Sequence, residues 1–187
     1  MYRFRRFGAA LAVIVAPAIA SNAAEMGFWS TPASAGIVDE DSASRVIFHD
    51  SGSAAIRPGV ASGTVKLRYP VTHGPAQFDG FDAAACMKLS VRDTGPTARV
   101  IVQLVAIDAA SGARTVLGSF DSDERFSTGS DQYRATGACS FRRPDVVDSL
   151  QGFDHAKYSY YIDVTLIRTD SSGNPGIKHI GLTVVSG

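Results

Sequence analysis

Residues 158–169 read YSYYIDVTLIRT, and this stretch decides the fold class. Its apolar side chains at Tyr160, Ile162, Val164 and Leu166 recur at every second position. Alternate side chains of a β-strand point to the same face, whereas a helix repeats about every 3.6 residues. The stretch therefore predicts a long strand with one face buried in a core.

The same alternation recurs along the chain and predicts seven further strands, at residues 44–49, 63–71, 85–92, 98–108, 114–120, 132–141 and 177–185. No helical segment of crossover length separates these strands, so antiparallel pairing is favoured over a parallel sheet. The expected fold is an all-β, jelly-roll-like sandwich of about eight strands. One short helical turn is predicted at 144–150, where Pro144 suits a first helical turn.

The N-terminus has the order of a secretory signal peptide, with a basic start, an apolar middle and a small-residue end. The basic residues are Arg3, Arg5 and Arg6. The apolar run at 8–20 is shorter than the roughly 20 residues that a membrane span needs. We expect residues 1–23 to be removed by cleavage after Ala23, with cleavage after Ala20 as the alternative. The expected location is secreted or periplasmic, and the sequence does not choose between the two.

The charge balance limits the partners of the mature chain. The full chain has 18 basic and 18 acidic residues, and the predicted signal contains three of the basic ones and none of the acidic ones. The mature chain therefore has 15 basic and 18 acidic residues, a net charge of 15 − 18 = −3, and it contains no further hydrophobic span. This negative charge argues against nucleic-acid partners and against docking to anionic membranes. We expect a loose arm at 24–43 followed by one sandwich domain at 44–187.

Cys86 and Cys139 are the two cysteines of the chain. Two cysteines of an exported protein are in an oxidising compartment, where they are expected to form a disulfide. A zinc site is not favoured, because the paired CxxC spacing typical of such sites is absent. Cys86 shares strand parity with the polar Lys88 and Ser90, opposite the apolar Met87 and Leu89. The bridge is therefore expected to clamp a neighbouring strand or loop outside the centre of the core.

Residues 48–53, FHDSGS, place His49, Asp50 and Ser51 side by side. A nucleophilic serine needs a base and an orienting group that converge in space, and such groups usually come from distant parts of a chain. The stretch is therefore interpreted as the end of a strand running into an Asp/Ser/Gly turn. No catalytic residue is assigned.

The histidines form no HxH or HExxH pattern, so no metal ligand is assigned and no cofactor is expected. Structural calcium is an open alternative, because three turns carry oxygen ligands of the type that calcium prefers. These turns contain Asp79 and Asp82, Asp121 and Asp123, and Asp170 with Asn174.

Two aromatic residues are the candidate binding residues. Tyr161 shares a strand face with Asp163 and Thr165 and is expected to be exposed, and Trp29 lies in the arm, where it could anchor the arm to the sandwich. The chain carries the motif set of no family known to us. The leading interpretation is a non-catalytic exported β-sandwich that binds a glycan or an envelope protein. A secreted hydrolase with an unrecognised site and a pilin-like subunit with residues 25–43 as a donated strand remain alternatives.

Overall fold

The computed structural model describes residues 25–73, 84–139 and 153–185. These residues form eleven strands: β1 (Glu25–Pro32), β2 (Ile37–Val38), β3 (Val46–Phe48), β4 (Ala54–Ile56), β5 (Gly63–Val71), β6 (Ala84–Asp93), β7 (Ala98–Asp108), β8 (Arg114–Asp121), β9 (Ser130–Cys139), β10 (Tyr158–Arg168) and β11 (Gly176–Val185). One short helix, α1 (Ser122–Arg125), follows β8. Two 3-10 turns, Ala33–Ala35 and Glu40–Ser42, flank β2.

The strands make two antiparallel sheets that face each other. The first has the order β3-β4-β11-β6-β9, with β1 also paired to β11. The second has the order β2-β5-β10-β7-β8. The inward residues of both sheets form one core, in which Val100, Val102, Leu104, Ile162, Val164 and Leu166 are fully buried. The predicted sandwich is confirmed, and β10 holds the centre of its sheet.

All eight predicted strands are present, and the structure adds β1, β2 and β4 to them. The predicted helical turn at 144–150 lies outside the described residues. Helix α1 instead begins after Asp121, whose carboxylate accepts a hydrogen bond from the amide of Asp123 at 3.2 Å. Such N-terminal capping by aspartate satisfies an amide that has no partner within the helix.

Residues 25–43 are not a loose arm. Strand β1 pairs with β11 of the first sheet, and β2 pairs with β5 of the second. Between them Ala33 is fully buried, and its carbonyl accepts a hydrogen bond of 2.8 Å from the Tyr69 hydroxyl. The segment thus joins the two sheets. Its strands lack the regular alternation that reveals the others, since a register shift between Gly27 and Trp29 interrupts the pattern of β1.

Cys86 and Cys139 form a disulfide, in agreement with the predicted pairing. The two cysteines are directly opposite each other in β6 and β9, with their Cα atoms 4.2 Å apart. Cys139 is exposed. The bridge therefore lies on the outer face of the first sheet and fastens an edge strand to its neighbour, as parity indicated.

Candidate functional site

The outer face of the five-stranded sheet carries a row of five residues across its strands, of which all but the first, Ile37, are polar. Ile37, Arg68, Asp163, Gln103 and Ser119 are successive neighbours in β2, β5, β10, β7 and β8. Directly paired residues of antiparallel strands point to the same face. The row therefore places a cation, a carboxylate and an amide beside one another.

An apolar row runs next to it. Pro70, Tyr161, Val105 and Val116 are successive neighbours in β5, β10, β7 and β8. Tyr161 and Val105 are buried although they point away from the core, whereas Val116 is 39% exposed. Something on the outer face must cover Tyr161 and Val105.

Two arginines provide this cover. The Arg68 guanidinium lies 4.0 Å from the centre of the Tyr161 ring, a favourable cation–π contact. Arg114 is opposite Ile107, yet it donates a hydrogen bond of 3.1 Å to Gln103 Oε1, so its side chain crosses the row of Val105.

Both arginines converge on Asp163. Arg68 donates through Nε and Nη2 to the two carboxylate oxygens, at 2.8 and 3.3 Å. Arg114 Nη2 lies 3.6 Å from Asp163 Oδ2. The hydrogen bond and charge of Asp163 outweigh partial burial and raise the pKa of Arg68. One carboxylate thus holds two guanidinium groups over an apolar floor.

Arg68, Arg114, Asp163 and Gln103 border a groove of about 510 Å³ on the sheet surface, whereas Tyr161 and Val105 are not among its lining residues. Its polar side chains come from all five strands or their ends: Asp39, Lys66, Arg68, Gln103, Arg114, Asp163 and Thr165. The exposed Ile37 forms part of one wall, with 59% of its surface accessible. The groove can offer several hydrogen-bond donors and acceptors to an elongated ligand.

Of the two aromatic candidates, Tyr161 is less exposed than expected, whereas Trp29 anchors the N-terminal segment to the sandwich in agreement with the sequence. Tyr161 lies on the outer face of the sheet, as parity predicted, but it is only 8% exposed because Arg68 covers its ring, and it does not line the groove. Trp29 is also 8% exposed and packs into the core beside Leu182, away from the groove. Neither ring presents a free stacking surface in this conformation. The arginines were missed because their convergence depends on the cross-strand register.

The FHDSGS stretch forms the turn of the β3–β4 hairpin, which confirms its interpretation. The amide of His49 donates to the Ser53 carbonyl, and the amide of Gly52 donates to the His49 carbonyl, each at 2.9 Å. Gly52 has a φ of 85°, which glycine adopts without strain. Among the described residues, one histidine ring forms a hydrogen bond: His73 Nδ1 is bonded to Thr72 Oγ1. The His49 ring is not bonded to Ser51 or Asp50 there.

Two of the acidic turns considered for calcium have internal partners. Asp121 accepts hydrogen bonds from Arg99, and Asp170 accepts one of 2.7 Å from the amide of Ser172. Asn174 Oδ1 accepts one from Arg92 at 2.8 Å. Asp79 and Asp82 lie outside the described residues. In the part of the chain that the structure covers, no three His, Cys, Asp or Glu residues group as a metal site.

No helix within the described ranges is both long and apolar enough to span a membrane. No family model and no curated protein matches the chain. Solved structures do resemble it, and three of them have TM-scores of 0.36 to 0.40 and identities of 10 to 14%.

One similar structure is the carbohydrate-binding module CBM36 in complex with calcium and xylotriose, at 11% identity and a TM-score of 0.40, covering 83% of this chain and 99% of that one. Another is the C-terminal CBM6 of LamC from Zobellia galactanivorans, at 14% identity and a TM-score of 0.40, covering 87% and 99%. A third is the family 11 module from Clostridium thermocellum in complex with a β-1,3-1,4-mixed-linked tetrasaccharide, at 10% identity and a TM-score of 0.36, covering 87% and 95%.

Proposed function

We propose that this protein is a non-catalytic glycan-binding β-sandwich, and that its site is the groove on the outer face of the five-stranded sheet. The observation that carries the proposal is the row of Arg68, Asp163 and Gln103 in the groove, with the exposed apolar side chain of Ile37 at its end. A sugar ring has hydroxyl groups at its edge and C–H groups on its faces. A groove with polar groups beside an exposed apolar side chain matches both features.

The polar groups suit hydroxyl ligands because they include both donors and acceptors. A guanidinium donates only, a carboxylate accepts only, and a glutamine amide does both. Arg68, Asp163 and Arg114 already hold one another in place, so little side-chain freedom remains to be lost on binding. The groove extends over five strands, which suits a chain of several sugars better than a single one.

We also propose that the protein is exported. The basic start, apolar run and small residues at the N-terminus support this, as does the pairing of Cys86 with Cys139. Expression of the full gene in its own type of host, followed by fractionation and N-terminal sequencing, tests the proposal. Mature protein that begins at Ala24 outside the cytoplasm is expected, and an uncleaved cytoplasmic chain would contradict it.

Glycan binding is tested by titrating the ¹⁵N-labelled protein with neutral and acidic oligosaccharides and following amide shifts. We expect saturable changes on β5, β7, β8 and β10. Gln103→Ala is expected to weaken binding, whereas Gln132→Ala, an exposed glutamine of β9 in the other sheet, is the matched control. Absence of any saturable shift with every oligosaccharide, or shifts confined to the other sheet, would refute the proposed site.

A further inference from the structure

The groove contains more positive than negative side chains. Its cations are Lys66, Arg68 and Arg114, and its carboxylates are Asp39 and Asp163. The chain as a whole is balanced, with 18 basic and 18 acidic residues. The positive excess is therefore a local property of the groove.

The excess is concentrated where the two arginines meet. Asp163 accepts hydrogen bonds of 2.8 and 3.3 Å from Arg68, and its contact with Arg114 is longer, at 3.6 Å. Arg114 is the less firmly held of the two, and its side chain is 44% exposed. A single carboxylate neutralises only one of the two guanidiniums, so the three side chains together keep one positive charge.

The groove has a third cation, Lys66, on β5. Asp39 directs Oδ1 to the amide of Ser42, at 2.8 Å, as the cap of a 3-10 turn. Lys66 is exposed and forms no ion pair within the part of the chain that the structure describes. Its ammonium group can therefore accept a ligand anion without first giving up a carboxylate partner.

Resting on the proposed glycan site, we propose that the ligand is a glycan of uronic acids, whose carboxylates bind at Arg114 and Lys66. The Arg114 guanidinium reaches from β8 to Asp163 on β10, and Lys66 on β5 is paired with Thr165, two residues along β10 from Asp163. The two cations are therefore separated by about one strand spacing across the sheet, about 5 Å, and by two residues along it, about 7 Å. A polyuronate carries a carboxylate on each successive sugar, so one chain across the strands can reach both cations. A planar carboxylate also matches the fork of donors on a guanidinium.

Matched probes separate charge from sugar recognition. Oligogalacturonate, oligomannuronate and oligoglucuronate are titrated into the full chain by calorimetry, each beside its fully methyl-esterified form. The ester keeps the sugar and removes the charge. At least one free acid is expected to bind about tenfold or more tightly than its ester, since hydrogen bonds to charged groups are the stronger ones. Its affinity is also expected to fall as salt is added.

Arg114→Gln is expected to remove most of that preference, whereas Arg125→Gln deletes an equal charge from the exposed end of α1 and is the control. Circular dichroism verifies that both variants fold. Equal binding of acid and ester, or binding of neutral oligosaccharides alone, would overturn the uronate inference and leave the glycan site intact. If no oligosaccharide binds, both proposals are overturned. Equally tight binding of polyglutamate would show that charge alone is recognised and would also overturn the inference.

Discussion

Arg68 and Asp163 are direct neighbours in β5 and β10, and two hydrogen bonds join their side chains on the outer face of the sheet. The pair holds the Arg68 guanidinium above Tyr161. The ring is consequently buried on a face that otherwise points to solvent. This one contact decides whether the outer face presents an aromatic or a charged surface.

Arg68→Ala is expected to uncover Tyr161 with little loss of stability. The Arg68 side chain is 54% exposed, and ion pairs of such residues contribute about 0–1 kcal/mol. Photo-CIDNP, which polarises accessible tyrosine rings, is expected to show one additional tyrosine in the variant. Arg134→Ala is the control, because that guanidinium covers Phe126 instead of a tyrosine. An unchanged tyrosine spectrum for Arg68→Ala would contradict the proposed cover.

Tyr69→Phe is expected to destabilise the fold by about 1–3 kcal/mol, because the buried carbonyl of Ala33 loses its donor. The Tyr69 hydroxyl adds a side-chain hydrogen bond between the N-terminal segment and the second sheet, beside the pairing of β2 with β5. Its burial also raises the pKa of the phenol, since the charged form is disfavoured away from water. Urea unfolding at neutral pH measures the change.

Tyr133→Phe is the matched control for Tyr69→Phe. The Tyr133 hydroxyl is buried without a hydrogen-bond partner in the described structure, so its removal is expected to leave stability unchanged or slightly raised. If the two substitutions cost the same free energy, the Tyr69–Ala33 bond has no special role.

Replacement of both Cys86 and Cys139 by alanine is expected to lower the free energy of unfolding by about 4 kcal/mol, because a bridge between residues 53 positions apart restricts the unfolded chain. Wild-type protein unfolded in a thiol reductant is the control and is expected to match the double variant. Non-reducing mass spectrometry of native protein is expected to find no free thiol. Two free thiols would contradict the bridge.

Asp121→Asn is expected to flatten the dependence of stability on acid pH. The Arg99 hydrogen bonds lower the pKa of the Asp121 carboxyl in the folded chain. Between that value and the usual one of about 3.9, the unfolded chain binds more protons, so stability falls as pH falls. Urea midpoints measured from neutral pH to about pH 3 test this expectation.

The exposed Asp131 of β9 offers a control substitution, Asp131→Asn, that removes the same charge without touching Arg99. Its acid dependence is expected to follow that of the wild type. An Asp121→Asn protein that loses stability in acid as steeply as the wild type would show that the Arg99 pair does not govern this range.

Alternation was sufficient to locate the long strands other than β1. For β5 and β7 the predicted ranges and the observed ones coincide, since each strand has one face in the core and the other outside. The short strands β2 and β4 have only two and three residues, too few for a period to appear. Strand β1 was read as part of a loose arm because its bulge breaks the period.

The sequence by itself determined the all-β class, eight of the eleven described strands, the pairing of the cysteines and the side of the sheet on which Tyr161 lies. These properties follow from residue types and their local spacing. Only the tertiary structure decided that Arg68 and Arg114 meet at Asp163. That contact depends on strand order and register, which join residues 95 positions apart in the case of Arg68 and Asp163. No local pattern encodes such a distance, so the candidate site became visible only when the strands were paired.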